Sequence, residues 1–169
     1  MMTKPQPSEY AAPHAGYVQL IGDEDVFAVL NAQQQISYDL FTGLSEEQAN
    51  YAYAEGKWNF KQVAGHMIDT ERVFSYRLLC FSREYQELPG FDQDVYVDNS
   101  TFNNQLIQDL AEEFKLLRTA NLYMIKALTA TQLTKNGIAS GYPVSVKALV
   151  YMIAGHERHH LNILKERYL

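Results

Sequence analysis

Cysteine and basic residues are scarce in this sequence, and long apolar runs are missing. The 169 residues include one Cys, 14 Lys and Arg, and 20 Asp and Glu, for a formal net charge of -6. A single Cys excludes an internal disulfide framework and any CxxC metal or redox motif. The acidic balance argues against binding to nucleic acid or to an anionic membrane, because both require clustered basic residues. No apolar run reaches the roughly 18 residues of a membrane span.

These absences predict a soluble, cytoplasmic protein of one domain. The first ten residues lack the apolar core of a signal peptide, and the length is typical of a single domain. We expect residues 1–18, which hold three of the five prolines, to form an arm or tail outside the core. Residues 19–169 then form the domain. With a single Cys, any metal ligands must come mainly from His, Asp and Glu.

Four long segments have the hydrophobic periodicity of helices. They span about 23–41, 59–83, 98–128 and 145 to near the end of the sequence. Asn59 and Gln62 predict a capping box at the start of the second helix. No run of period-two alternation predicts a strand. The pattern therefore predicts an all-α fold, a four-helix bundle with a short N-terminal arm and long crossover loops at 84–100 and 129–144.

Two of the five histidines, His156 and His160, lie four residues apart in the fourth predicted helix. They follow Leu149 and Ile153 along one side of this helix, so both imidazoles should point toward the core. Two imidazoles at this separation can share one divalent cation. His66 lies on an apolar side of the second helix. A third imidazole from another helix would leave coordination positions open, which is the pattern of a catalytic metal site.

Two carboxylates neighbour these histidines in the sequence. Asp69 lies one turn after His66 and could be a metal ligand, an acceptor for an imidazole N–H, or a base acting on bound water. Glu157 follows His156 directly and could form a hydrogen bond near the site. We therefore predict that His66, His156 and His160 are metal ligands and that Asp69 and Glu157 are catalytic groups beside them.

Other interpretations of the histidines stay open. A single His on an apolar helix face is usually a hydrogen-bonded structural residue. His159 could replace His160 as the partner of His156. Residues 156–160 also match H-E-x-x-H, the zinc-protease helix. Those enzymes take their third ligand from further downstream, where Glu166 is the sole carboxylate side chain and lies on the same helix. The protease interpretation is therefore disfavoured.

Two motifs resemble signatures of the DinB/YfiT-like superfamily. The first is GKWNFKQVAGHMIDTER at 56–72, and the second is AGHERHHLNIL at 154–164. The intervening LPGFDQD at 88–94 is similar to one branch of this family. The resemblance covers about residue 20 to the C-terminus, and the order, spacing and helical placement of the motifs together make it specific.

The resemblance implies an up-down-down-up four-helix bundle with a three-His divalent metal site. Carried over residue by residue, it gives the ligands as His66, His156 and His160 and leaves His159 as the adjacent non-ligand. Members with known activity are thiol-dependent transferases that use bacillithiol, mycothiol or glutathione, or a thiol-dependent isomerase. Others are named metal-dependent hydrolases, and many have no assigned activity. The resemblance also implies a homodimer.

From these observations we expect a divalent-metal-dependent enzyme that activates a thiol or water against a small-molecule substrate. Three imidazoles suit zinc or nickel, with iron as a further candidate, and a low-molecular-weight thiol is the expected cosubstrate. Cys80 should be a buried small hydrophobe, so the cosubstrate would have to supply any reactive thiol. The rival is a non-catalytic, metal-stabilised bundle with a structural or stress-related role, in which Asp69 or His159 is the fourth ligand. A plain bundle without metal is a further alternative.

Three arginines and one loop are candidates for substrate binding. Arg72, Arg77 and Arg158 could each anchor a carboxylate-bearing cosubstrate, although an ordinary ion pair is the favoured interpretation of each. The loop at 84–100 could cover the site and select the substrate, or it could be a polar crossover connection. His14 lies in the arm and is expected to have no role in the site.

Overall fold

Four long helices, α2, α4, α6 and α8, build most of the fold in a computed structural model that describes residues 2–169. Within this range the helices are α1 (Ala15–Ile21), α2 (Val26–Thr42), α3 (Glu46–Ala49), α4 (Phe60–Arg83), α5 (Gln93–Asp98), α6 (Ile107–Lys126), α7 (Ala130–Leu133) and α8 (Val146–Arg167). The strands of the same range are β1 (Glu87–Leu88), β2 (Asn136–Ala139) and β3 (Tyr142–Ser145). None of the described helices is both long and apolar enough to cross a membrane.

The four long helices form the predicted bundle. Helix α2 packs mainly against α6 and α8, and α4 packs against the same two helices. The consecutive helices α2 and α4 therefore lie diagonally opposite each other. The long connection from α4 to α6 joins neighbouring helices, and the long connection from α6 to α8 joins the other diagonal pair. The predicted all-α bundle with long crossover loops is thereby confirmed.

Local capping explains where most of the long helices begin. Asn59 and Gln62 form the predicted capping box of α4, and the Ser145 side chain accepts a hydrogen bond from the backbone of Ala148 to cap α8. The start of α6 was predicted wrongly. The cap-rich residues 98–100 end the short helix α5, and α6 begins later, at Ile107. Side chains that cap a helix also favour turns, so their position alone does not say which helix they serve.

The prediction that the chain lacks strands is wrong, because the two long loops pair with each other. Strand β1 lies parallel to β2, and β2 forms a hairpin with β3. In the hairpin turn, Ser140 and Gly141 both have positive φ values, 56° and 80°, as a type I′ turn requires. With two to four residues each, the strands are too short to produce a periodic signal. The sheet ties the loop at 84–100 to the loop at 129–144.

The expectation that residues 1–18 stay outside the core is wrong at the C-terminal end of that segment. Residues 15–18 belong to α1, and the Val18 side chain is 0% exposed. Helix α1 packs closely along α8, where a Cβ on Gly155 would lie 2.0 Å from the Tyr17 carbonyl oxygen. Gly155 therefore permits direct backbone contact between the helices. Because α1 covers its outer side, the first half of α8 is buried on nearly all sides.

A charged network joins the four long helices at the centre of the bundle. The fully buried Arg118 of α6 donates two hydrogen bonds to Glu71 of α4, at 2.7 and 2.6 Å. Its Nη1 atom also lies 2.6 Å from Oε2 of Glu157 on α8. Ser37 of α2 donates to the second oxygen of Glu157, and Asn121 donates to Glu71. These five residues are called the Arg118 network below.

Candidate metal centre

Three imidazoles converge where α4 faces α8. Nε2 of His66 lies 3.0 Å from Nε2 of His156, and Nε2 of His160 lies 3.1 Å from the same atom. Each of the three histidines offers one ring nitrogen as a ligand atom, and these three nitrogens lie within 4.8 Å of one another. The sequence placed His156 and His160 on one inward side of the last helix. The structure brings His66 against them from a position 90 residues away from His156.

The donor geometry fits a single divalent ion. Metal–nitrogen bonds are about 2.0–2.1 Å long, so two imidazole nitrogens at roughly right angles around one ion lie about 3.0 Å apart. The measured separations of 3.0 and 3.1 Å match this value. No other His, Cys, Asp or Glu side chain of residues 2–169 joins the group. Three nitrogen donors with no fourth protein ligand are typical of a catalytic rather than a structural metal site.

The environment keeps the three imidazoles neutral, as metal ligands must be. Burial, together with smaller contributions from neighbouring imidazoles, lowers the pKa of His66 to about 4 and that of His160 to about 3. Burial also holds the pKa of His156 well below its usual range. At neutral pH each ring therefore has one nitrogen with a free lone pair. In the tautomer with its proton on Nδ1, each ring presents an unprotonated Nε2 that could bind a metal ion.

Residues around the cluster orient the rings. Thr70 Oγ1 lies 3.4 Å from Nδ1 of His66, and a proton on that nitrogen would direct the Nε2 lone pair toward the other histidines. The Trp58 ring packs on His66 at 5.0 Å, and the Tyr17 ring meets His156 edge-on at 5.4 Å. The sequence did not predict these contacts of Thr70, Trp58 and Tyr17. Thr70 lies one turn after His66, and this spacing is the signal that could have indicated its contact with the ring.

The two predicted catalytic carboxylates do not join the cluster. Glu157 is turned to the other side of α8, where both of its oxygens contact the Arg118 network. Its predicted position beside the site is therefore wrong, because consecutive residues of a helix project about 100° apart. Asp69 is half-buried, and its carboxylate lies 3.5 Å from Arg72. Burial raises the pKa of Asp69, although the Arg72 charge offsets part of this effect.

The other candidate residues separate into three groups. His159 is half-buried with its ring against Tyr17 at 5.6 Å, outside the cluster of ligand atoms. Arg72 forms an ion pair with Glu113, and Arg158 forms one with Glu24. An ordinary ion pair was the favoured interpretation of both arginines. Arg77 differs, since its recorded hydrogen bonds go to Pro89 and Ser140 rather than to an acid. Cys80 lies half-buried on α4.

Two cavities reach the histidines from different sides. The large cavity, of about 690 Å³, is lined by His160 together with Lys57, Trp58 and Tyr168. The small cavity, of about 170 Å³, is lined by His66 and His156 together with residues that include Tyr17, Arg77 and Ser140. Gln93, in the loop at 84–100, lines both. This loop therefore borders the site, as one of its two interpretations predicted.

A helical bundle with a three-His cluster open to two cavities defines a class of candidate metalloprotein, and comparison with known proteins identifies the family. The sequence profile of the DinB superfamily matches residues 30–164, and the chain belongs to this superfamily. A protein of Oceanobacillus iheyensis whose name proposes a metal-dependent hydrolase is 28% identical over 127 residues, which are 72% of this chain and 71% of that protein.

Two solved structures from Bacillus subtilis share the fold. YfiT, described as a proposed metal-dependent hydrolase with an unusual four-helix bundle topology, superposes with a TM-score of 0.73 at 14% identity. The match covers 97% of this chain and 90% of YfiT. The DinB-like protein YjoA superposes with a TM-score of 0.62 at 18% identity, over 85% of this chain and 88% of YjoA. The family and fold inferred from the sequence motifs are thereby confirmed.

Proposed function

We propose that this protein is a divalent-metal-dependent enzyme that activates a thiol or a water molecule for attack on a small-molecule substrate. One observation carries the proposal: three neutral imidazoles converge between two cavities, and no fourth side chain of residues 2–169 joins them as a ligand. Within this geometry His66, His156 and His160 hold the ion. Zinc or nickel suits three imidazoles best, and iron is a further candidate.

A divalent ion on three neutral ligands keeps its full charge and lowers the pKa of a bound water or thiol into the neutral range. The protein's own residues supply the rest. Thr70 and Trp58 fix the orientation of His66, and Tyr17 covers His156. The large cavity has room for an organic substrate, since its volume of about 690 Å³ lies within the range of typical ligand sites.

Asp69 is a candidate for proton transfer in this enzyme. Its carboxylate is half-buried, and burial raises its pKa, which favours exchange of a proton closer to neutral pH. Glu157 has no such role in the proposal, because its oxygens are held by Ser37 and Arg118. We keep the choice between thiol transfer and hydrolysis open, since the same centre serves both reactions.

The non-catalytic alternative requires a closed site. Neither Asp69 nor His159 contributes an atom to the cluster, so the geometry favours open coordination positions over a saturated structural site. We also expect a cytoplasmic homodimer that binds no nucleic acid and no membrane. These expectations rest on composition and on the family resemblance alone.

The metal content of the untagged protein tests the proposal. Purified native chain should contain close to one divalent ion, and His66→Ala, His156→Ala and His160→Ala should each lose most of it. Equal metal content in all four proteins would refute the site. Conjugation assays with several low-molecular-weight thiols, followed by ester and amide hydrolysis assays, then separate transferase from hydrolase. A metal-loaded protein inactive in both assays would support the structural role.

A further inference from the structure

Arg77 is a buried cation without an acidic partner. Its side chain is 4% exposed, yet no carboxylate of residues 2–169 lies within ion-pair distance of it. Its recorded hydrogen bonds run from Nη2 to the Pro89 carbonyl oxygen, at 2.9 Å, and to Ser140 Oγ, at 3.2 Å. The Nε and Nη1 groups have no protein acceptor within the described part of the chain. Neither is among the fully buried, unpartnered side-chain atoms of that part, so both reach solvent and can meet a ligand.

Arg118 is also a buried arginine of this bundle, but its charge is balanced by acidic side chains. Arg118 contacts Glu71 and Glu157, and although burial acts to lower its pKa, those two charges raise it above the ordinary value. For Arg77, burial lowers the pKa, and no acid of the described residues opposes that effect. Arg77 is thus the less deeply buried of the two arginines, and it also lacks the counter-charges that Arg118 has. The fold supplies two carboxylates to one and none to the other.

The unpaired guanidinium borders the small cavity beside the histidines. The lining of this cavity includes His66, His156 and Arg77 but no Asp or Glu. His14, on the same wall, is itself held toward its neutral form by burial and by the charge of Arg77. Among the described residues, Arg77 is thus the only side chain with a formal charge that lines this cavity of about 170 Å³.

The loops hold Arg77 in place. The Pro89 carbonyl belongs to the loop at 84–100, and Ser140 belongs to the β2–β3 turn, where its φ of 56° is unusual for a residue with a side chain. These two contacts occupy Nη2 and fix the guanidinium plane. The remaining donors, Nε–H and Nη1–H, are available to an acceptor in the cavity. A planar carboxylate suits a fixed guanidinium, since the two form short, charge-assisted hydrogen bonds.

We propose that Arg77 binds the carboxylate of the substrate or cosubstrate whose reacting group lies at the three histidines. The inference rests on the proposed function for the position of the reacting group, but the anion subsite itself depends only on Arg77 and the cavity. One guanidinium among neutral side chains matches a single negative charge, which favours a carboxylate over a phosphate dianion. The substrate class is therefore a small carboxylic acid, or a thiol that carries one.

Binding of matched acid and amide probes tests this subsite. The zinc-loaded protein is titrated by calorimetry with a series of ω-mercapto acids of increasing chain length, each compared with its amide. We expect the native protein to prefer the best acid by roughly ten- to a hundredfold, the range of a charge-assisted hydrogen bond. Arg77→Met should reduce that preference to the level set by the metal alone. An undiminished preference in Arg77→Met would overturn the proposal.

Control variants separate anion binding from loop support. Arg72→Gln removes a paired arginine of the same helix and should retain the preference for the acid. If Arg77→Met fails to fold, Arg77→Gln replaces it and should lose the preference likewise, because the amide carries no charge. An equal preference in Arg77→Gln and the native protein would count against the subsite.

A metal-free experiment distinguishes failure of the subsite from failure of the proposed function. Propionate and propionamide are compared by ligand-observed NMR on metal-free native protein and on Arg77→Met. Propionate binding that is lost in the variant supports the subsite even if zinc proves not to bind. Equal binding of propionate to both proteins overturns the subsite even if the metal centre is real. Inorganic phosphate is the third probe, and stronger competition by phosphate than by propionate would overturn the preference for a carboxylate.

Discussion

His156 and Glu157 are consecutive residues of α8, but their side chains enter two different buried polar clusters. Glu157 joins the Arg118 network, where two carboxylates share one guanidinium and further donors come from Ser37 and Asn121. His156 joins the histidine cluster, where its Nε2 atom lies close to the Nε2 atoms of His66 and His160. Both clusters link α4 to α8. They differ in whether the chain itself supplies the complementary charge.

This difference distinguishes a cluster that stabilises the bundle from a cluster that is a candidate ligand site. The Arg118 network is satisfied by protein groups from all four long helices, so it specifies how these helices pack. The histidine cluster brings three neutral imidazoles together without a carboxylate among the described residues, so a cation bound there would have to come from outside the chain. A buried polar cluster that lacks its own counterpart is the stronger indication of a ligand site.

Breaking the Arg118 network should have the largest effect. Arg118→Met leaves Glu71 and Glu157 buried without their cation, which typically costs about 3–5 kcal/mol of folding free energy. Urea unfolding measures this loss. The exposed ion pair of Arg72 provides the matched control, since Arg72→Gln should cost less than about 1 kcal/mol. Comparable losses in the two variants would show that the network contributes no more than a surface ion pair.

Metal addition should stabilise the protein through the histidine cluster alone. Zinc or nickel at about 100 times its dissociation constant should add about 2.7 kcal/mol to the unfolding free energy of the native chain. His66→Ala should abolish this gain. Glu157→Gln alters the other cluster at the residue next to His156 and should keep the gain. A loss of the metal response in Glu157→Gln would contradict the separation of the two clusters.

The two clusters should respond to pH with opposite signs in metal-free protein. The unfolded chain binds protons as pH falls below about 6.5, whereas folded His66 and His160 resist protonation until about pH 4 and 3. Stability should therefore fall through this window by up to about 1.4 kcal/mol per pH unit for each histidine. Burial raises the pKa of Glu157, so its contribution is present at low pH and is lost as pH rises through its folded value.

Unfolding free energies at several pH values between 7.5 and 4.5, measured in the presence of a chelator, test these signs. His66→Gln should show a shallower loss on acidification than the native chain, because one resisting imidazole is gone. Glu157→Gln should keep the histidine-dependent loss in full. If His66→Gln and the native chain lose stability in parallel, burial does not suppress protonation of His66.

The smallest effect is expected at His159. This ring packs on Tyr17 and contributes no atom to the ligand cluster, so His159→Gln should retain the native metal content and lose less than about 1 kcal/mol of stability. Metal analysis beside His160→Gln, which should lose the ion, provides the direct comparison. A large loss of metal in His159→Gln would indicate that His159, rather than the adjacent His160, is the metal ligand.

The sequence was sufficient for the histidine cluster because its signal is local. His156 and His160 share one side of a helix with Leu149 and Ile153, and this relation depends only on the helical repeat. The motif resemblance then added His66. The four-helix bundle was predictable for the same reason, since amphipathic periodicity persists over long segments.

The Arg118 network was not predictable from one sequence. Arg118 lies on the buried side of α6, but an arginine in an amphipathic helix is normally assigned to the solvent side, as its usual environment suggests. Its burial depends on Glu71 and Glu157, which come from two other helices. The small sheet was missed for a related reason: Glu87 and Leu88 become a strand only because β2 is placed beside them by the bundle.

The separation of 90 residues between His66 and His156 makes the centre a reporter of chain topology. In an unfolded chain, bringing such distant residues together costs about 4 kcal/mol of loop-closure entropy, while His156 and His160 remain neighbours. A metal ion offered to the unfolded chain would therefore find only the local ligands of residues 156–160, whereas the folded chain presents His66 as well. In the proposed metal-loaded protein the ion would cross-link α4 and α8, and its bond to His66 would form only after the chain between these helices had folded.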